Sequence, residues 1–246
     1  MVRDLGGEAA SLLRGPVGVF DRTELAGLPE PVASYFRSAI SAGSPLAVAV
    51  RIQMRGRIRI GRWLRFRAHE VLDPHRGFIW SARAAGVISG SDRFLDGTGA
   101  MDWRIMGLLP VMRASGPDVT RSAAGRAAAE AVWVPTSLLP RFGVEWSVGD
   151  DGAICARYGL GGEALEVGML LDDDSMIRSV RFERWGDPDG SGTFGAHIFG
   201  GEFTAHGDFG GMRIPTEGRL GWHYGTERWP DGEFFRFRVT DLQPVV

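Results

Sequence analysis

A two-residue alternation between Arg51 and Leu72 constrains the fold more than any other feature of the sequence. Successive strand residues point to opposite sides of a sheet, so arginines and aliphatic residues separate here onto two faces. After a turn at Gly61-Arg62, the inward positions are Leu64, Phe66, Ala68 and Glu70. The segment therefore predicts an antiparallel hairpin whose apolar face carries one carboxylate, that of Glu70.

Composition places the chain among ordinary globular proteins. It has 246 residues, of which 44% are hydrophobic, and its formal net charge is -2. This length allows one large β-rich domain or two small ones, with ample core. The charge balance gives no electrostatic footprint for nucleic acid, so we expect no nucleic-acid partner. All 28 basic residues are arginines, which excludes lysine Schiff-base chemistry and a P-loop lysine.

The first residues do not resemble a secretion signal. Residues 1–7 lack a basic region followed by an apolar stretch, and no window approaches 18 continuous apolar residues. We therefore expect a cytoplasmic protein without integral membrane association, unless a leader has been removed.

Turn signals divide the chain into two groups of strands separated by a helical insert. We expect N-terminal helices over 8–42, strands over 46–105, the insert over 116–140, and further strands over 142–242. The candidate strands are 47–60, 63–72, 77–84, 92–105, 142–149, 152–159, 163–171, 176–185, 194–208, 211–224 and 233–242. Their short connections predict an antiparallel meander, because parallel strands need crossovers of a dozen or more residues. Nothing reads as a linker, so we expect a single domain over residues 1–246.

A sheet of about eleven strands must curl or close. The helical insert falls between the two strand groups, which suits a helix packed against the concave face. Eight tryptophans and fourteen phenylalanines supply large side chains to line or fill that space. The predicted fold is mainly β (α+β), a single, strongly curved antiparallel sheet or half-barrel wrapped around a few helices.

Several blocks of the sequence resemble an uncharacterised bacterial family that carries only a domain-of-unknown-function label. The blocks are residues 28–32, 66–70, 77–80, 107–111, 114–117, 129–140, 213–218 and 239–241. They span roughly residues 25 to 242, and the most specific is the tryptophan-proline block that contains Trp133-Val134-Pro135.

The layout of that family is similar to LolA-like half-barrels, in which a curved antiparallel sheet wraps around helices. Proteins of that shape often bind lipids or acyl chains in the concavity, so the resemblance implies an apolar ligand. It does not imply lipoprotein transport. The family supplies no catalytic motif, and no residue receives a role from it.

Two carboxylates are the best candidates for catalytic residues. Glu70 lies on an apolar face, where an acid must be paired, protonated or kept for use. Glu130 ends an alanine-rich helix, where an acid is unfavourable for the helix dipole. If both reach the concave side, they form an acid/base pair or bind a polar ligand head. The structural alternative pairs Glu70 with an arginine such as Arg104, and Glu130 with Arg126 one turn earlier.

Eight large side chains are the candidates for ligand binding. They are Met54, Phe66, Phe78, Trp80, Trp103, Trp133, Trp222 and Tyr224. No motif calls for a metal or a cofactor, and we expect neither.

The leading functional hypothesis is the binding of an apolar or amphipathic small molecule, such as a lipid, polyene or polyketide, in the concavity of the sheet. The enzyme alternative is a cofactor-free cyclase or isomerase of bacterial secondary metabolism, which would fold a flexible ligand into a reactive shape. A third alternative is a non-catalytic interaction domain with a filled core. A connected cavity above roughly 300 Å³ would eliminate that third reading.

Overall fold

One antiparallel sheet dominates the structure, a computed structural model that describes residues 5–245. Its strands are β1 Val50–Ile60, β2 Arg62–Asp73, β3 Gly77–Ala84, β4 Ile88–Leu95, β5 Thr98–Ile105, β6 Leu109–Ser115, β7 Glu145–Val148, β8 Ile154–Leu160, β9 Glu163–Leu171, β10 Ile177–Gly186, β11 Gly195–Phe209, β12 Met212–Trp222 and β13 Glu233–Pro244. The strand order runs from β6 back to β1, then from β13 back to β7. Within the described residues the sheet is not closed, because β6 and β7 are its two edges. The predicted fold class is confirmed.

The count of about eleven strands was too low by two. The segment predicted as one strand, 92–105, contains a hairpin turn in which Asp96 and Gly97 have φ angles of 48° and 74°. Two positive φ angles in a two-residue loop are typical of a tight hairpin, so β4 and β5 are separate strands. The other missed strand is β6, whose consecutive apolar residues and Pro110 show no alternation in the sequence.

The helices are α1 Leu5–Leu12, α2 Glu30–Ala39, α3 Pro117–Glu130 and α4 Trp229–Gly232. The expected N-terminal helices over 8–42 are shorter than that range. Between α1 and α2 only Arg22–Leu25 is helical, as one 3-10 turn capped by the Asp21 side chain. The expected single domain over 1–246 includes residues 1–4 and 246, which lie outside the described residues.

α3 connects the two halves of the sheet. It contacts β3, β4, β5 and β6 on one side and β9 and β10 on the other. Its buried positions are Ala124, Gly125, Ala127, Ala128 and Glu130, and the small residues among them let the helix approach the strands closely. The helical insert therefore covers the inner face of the sheet. No helix within residues 5–245 is long and apolar enough to cross a membrane.

Candidate functional site

The strand register places two acids and a tryptophan in one row on the inner face of the sheet. Glu70 of β2 lies opposite Trp80 of β3, and Trp80 lies opposite Asp92 of β4. Side chains of directly opposite residues share a face, so the two carboxyl groups flank the indole. Glu70 is only 2% exposed, which confirms the inward orientation predicted from the alternation.

Arg126 of α3 lies over this row and joins its acids. Its guanidinium nitrogens lie 3.0 Å from Asp92 Oδ2, 2.7 Å from Glu130 Oε1 and 3.7 Å from Glu70 Oε1. Its guanidinium carbon also lies 4.3 Å above the ring of Phe78. We call the set Glu70, Asp92, Arg126 and Glu130 the Arg126 cluster. Asp92 is fixed further by Trp103, whose indole N–H donates to Asp92 Oδ1 at 2.7 Å.

The surroundings of Glu70 favour its protonated form. Burial raises the pKa of its carboxyl well above the usual range, and the nearby Glu130 raises it further. Both oxygens of Glu70 and Oε2 of Glu130 are buried and receive no hydrogen bond from other groups of residues 5–245. Two carboxyl groups in contact bond to each other only when one carries a proton. A proton on Glu70, donated to Glu130, would therefore give one oxygen of each carboxyl group a hydrogen-bond partner.

The predicted partner of Glu70 was partly wrong. Arg104 does not reach it and instead pairs with Asp102 at 3.0 Å. Because Trp103 points to the inner face, its neighbour Arg104 must point to the outer one. The predicted pair of Glu130 with Arg126 is confirmed. Whether Glu70 and Glu130 act in catalysis stays a prediction.

A cavity of about 810 Å³ lies between the sheet and α3. The helix contributes residues three or four positions apart, which is the spacing of one helical face, namely Val119, Ser122, Ala123, Arg126, Ala129 and Glu130. The rim includes exposed residues such as Met112, Asp189 and Arg228, so the cavity opens to solvent there. Its volume exceeds roughly 300 Å³, the lower size of a ligand pocket, so the interior is not a filled core.

Five of the eight side chains proposed for ligand binding line this cavity. They are Met54, Phe78, Trp80, Trp133 and Trp222. Trp133 is anchored there by its indole N–H, which donates to the carbonyl of Pro215 at 3.1 Å. The wall that these residues form is mainly aromatic. Their binding role stays a prediction.

The other three proposed side chains do not line the cavity. Phe66 stacks on Phe235, with the ring centroids 5.0 Å apart. Trp103 donates its indole N–H to Asp92. Both side chains therefore contact residues of the cavity wall without lining the cavity themselves. Tyr224 lies beyond the end of β12, because His223 has a φ of 61° and breaks the strand alternation. The expectation of a strand over 211–224 was therefore wrong at its end, since the strand stops at Trp222.

Arg184 of β10 is a cavity-lining cation that the sequence analysis missed. Its Nε donates to the carbonyl of Ser122 at 3.2 Å, and its guanidinium lies 4.7 Å above the Phe199 ring. No ion pair within residues 5–245 joins it to a carboxylate, and burial, with help from nearby Arg126, lowers its pKa to about 10. The signal was present in the sequence, since Arg184 follows Val180 and Phe182 at inward spacing.

Comparison with known proteins identifies a family. The chain belongs to DUF6544, a family of unknown function, whose model matches residues 18–234. The expected membership in a family of unknown function is confirmed. No curated protein matches the chain significantly.

A search of solved structures finds two proteins that align with most of this chain at low identity. One is a domain described as an outer membrane lipoprotein-sorting protein from Vibrio parahaemolyticus, with 8% identity, a TM-score of 0.45, and coverage of 87% of this chain and 91% of that one. The other is a LolA superfamily protein from Nitrosomonas europaea, with 11% identity, a TM-score of 0.43, and coverage of 96% and 93%.

Proposed function

We propose that this protein binds an amphipathic small molecule in the cavity between its sheet and α3, with an acidic head group at Arg184. The observation that carries the proposal is the half-buried guanidinium of Arg184, which has no ion pair with a carboxylate of residues 5–245 and lies in the wall of a largely aromatic cavity of about 810 Å³. Ligand sites typically combine such an apolar lining with a few oriented polar groups.

The aromatic wall accounts for the apolar part of the ligand. Trp80, Trp133 and Trp222 present large, rigid surfaces, and Met54 adds an adaptable one. Each methylene that leaves water for this wall contributes about 0.8 kcal/mol. A chain of a dozen or more carbons is therefore the kind of ligand that the cavity suits best.

Arg184, rather than Arg126, is the group that would hold the head. Arg126 already contacts three carboxyl groups, so its charge is compensated within the protein. Arg184 has only Ser122 as a hydrogen-bond partner among residues 5–245, and burial disfavours its charge. A ligand carboxylate would compensate the positive charge of Arg184 by accepting two charge-assisted hydrogen bonds from its guanidinium.

Discrimination between an acid and its ester tests this assignment. We expect the wild-type protein to bind hexadecanoic acid at least about tenfold more tightly than its methyl ester, which is about 1.4 kcal/mol. In Arg184→Met the preference should disappear, since the guanidinium is gone and the apolar wall remains. Displacement of a fluorescent hydrophobic dye measures both affinities.

Arg178→Met is the matched control, because Arg178 is an exposed arginine of the same strand. It should keep the wild-type preference for the acid. Equal affinities for acid and ester in the wild-type protein would contradict the assignment. So would a preference that survives in Arg184→Met.

A second candidate function is cofactor-free isomerisation of a polyene. The observation that favours it is the buried, unpartnered Oε2 of Glu130 beside Glu70, because Glu130 lines the cavity and the pKa of Glu70 is raised. The pair would give this proton to one carbon of the ligand and recover a proton from another, so no net proton is consumed. Chromatography of retinoic acid incubated with the protein tests this. A new isomer that forms with wild type and not with Glu130→Gln supports it, and an unchanged ligand rejects it.

A further inference from the structure

The outer face of the sheet carries arginines in strand register. Arg238 of β13 lies opposite Arg55 of β1, Arg55 lies opposite Arg67 of β2, and Arg67 lies opposite Arg83 of β3. A second row lies two residues further along each strand and contains Arg236, Arg57 and Arg65. All seven line one shallow groove on that face. We call them the arginine face.

Most of this charge is not compensated within the chain. Arg238 pairs with Glu217 at 2.7 Å, and Arg236 pairs with Glu233. The other five arginines are exposed and form no ion pair within residues 5–245, namely Arg55, Arg57, Arg65, Arg67 and Arg83. Like charges directly opposite one another destabilise a sheet. This arrangement therefore disfavours the isolated fold and favours the approach of an extended anionic surface.

The row continues toward an apolar hairpin. Arg83 lies opposite Ser89 of β4, and Ser89 lies opposite Arg104 of β5, next to the β5–β6 turn. That turn and its flanks hold a concentration of exposed hydrophobic side chains, namely Ile105, Met106, Leu108, Leu109, Val111 and Met112. Met106 and Leu108 are 75% and 79% exposed. Almost all of β6 is exposed on both faces, so nothing in residues 5–245 covers this hairpin.

We propose that the arginine face and the β5–β6 hairpin dock together onto a membrane surface that contains anionic phospholipids. Arginines attract the headgroups, and apolar side chains that are exposed on both faces of a hairpin suit insertion among the acyl chains near the interface. The hairpin also lies next to the cavity opening, because Met112 lines the cavity rim. A bound membrane would therefore lie beside the cavity opening.

Two other partners fit these observations less well. A second copy of the chain would pair with the exposed edge strand β6, but Pro110 in that strand has no N–H to offer. Single-stranded nucleic acid is bound by basic grooves with free aromatic side chains on which bases stack, but the ring of Trp63 on the arginine face is already covered by the Arg236 guanidinium at 4.7 Å, and nucleic acid would make no use of the apolar hairpin. Only a bilayer uses both the charge and the apolar tip.

Vesicle co-sedimentation tests the proposal. The protein should bind vesicles that contain phosphatidylglycerol at least about tenfold more tightly than pure phosphatidylcholine vesicles, and added salt should weaken that binding. The triple change Arg55→Gln, Arg67→Gln and Arg83→Gln should lower binding about tenfold or more. Leu108→Ser with Leu109→Ser should lower it separately. All five positions are exposed, and the glutamines also remove like charges that face one another, so the thermal midpoint of these variants should not fall below that of the wild type.

The matched control replaces three exposed arginines elsewhere with glutamine, Arg22, Arg178 and Arg213, and should bind vesicles as the wild type does. Equal binding to both vesicle types would overturn the proposal. Binding to an oligonucleotide that the leucine changes leave unaltered, with no vesicle binding, would assign the face to nucleic acid instead. Hexadecanoic acid titration of the same variants is a separate readout, so failure here leaves the cavity ligand untouched.

Discussion

Replacing Arg126 with methionine is expected to lower the free energy of unfolding by about 3–5 kcal/mol. The change removes the one cation among residues 5–245 that contacts Glu70, Asp92 and Glu130 together. Asp92 and Glu130 would then lose their only ion pairs within these residues, Asp92 would keep only the hydrogen bond from Trp103, and such poorly compensated buried charges are strongly destabilising. Urea denaturation at neutral pH measures the loss.

Arg121→Met is the matched control for this change. Arg121 lies on the same helix but is exposed, and its pair with Glu163 at 3.1 Å is near the surface. Exposed ion pairs contribute about 1 kcal/mol or less. A loss for Arg126→Met no larger than that for Arg121→Met would contradict the described cluster. Adding Asp92→Asn and Glu130→Gln to Arg126→Met should recover part of the stability, because the uncompensated charges are gone.

The second large effect is a pH dependence that belongs to Glu70. Its folded pKa lies well above the ordinary value of 4.5, so above pH 4.5 the folded state keeps a proton that the unfolded chain releases. The stabilisation from Glu70 is therefore complete below the unfolded pKa and is lost as the pH rises toward the folded pKa. Glu70→Gln, which is neutral at every pH, lacks this loss.

Wild type should consequently lose stability relative to Glu70→Gln as the pH rises, by up to about 1.4 kcal/mol per pH unit within that window. Urea denaturation of both proteins at steps of about one pH unit between about pH 4.5 and 7.5 measures the difference. The control is Glu166→Gln, an exposed acid paired with Arg157, which should show no such trend. A constant difference between wild type and Glu70→Gln over this range would show that Glu70 is ionised.

The parts of the site that follow from local periodicity were predictable. The two-residue alternation placed Glu70 on the inner face, and helical spacing paired Glu130 with Arg126. The contact of Arg126 with Glu70 and Asp92 was not predictable, because it requires α3 to pack against β3, β4 and β5 in one particular register. Such a long-range arrangement leaves no trace in a single sequence.

Arg184 and the arginine face show two different limits. Arg184 was predictable on the same grounds as Glu70, because the two-residue alternation of β10 places it on the inner face with Val180 and Phe182. The arginine face depends on β1 pairing with β13, which joins residues 55 and 238. The net charge of -2 does not indicate this local concentration of positive charge, because the acids that balance the arginines lie elsewhere on the chain.

Occlusion of the cavity is the most direct test that a ligand binds there. Ala123 of α3 lines the cavity, so an indole in Ala123→Trp would occupy part of its volume. Ala164→Trp is the control, because Ala164 is exposed and does not line this cavity. Hexadecanoic acid should bind Ala123→Trp at least about tenfold more weakly than wild type or Ala164→Trp, with the thermal midpoint retained. Unchanged binding by a folded Ala123→Trp would place the ligand elsewhere and contradict the proposed function.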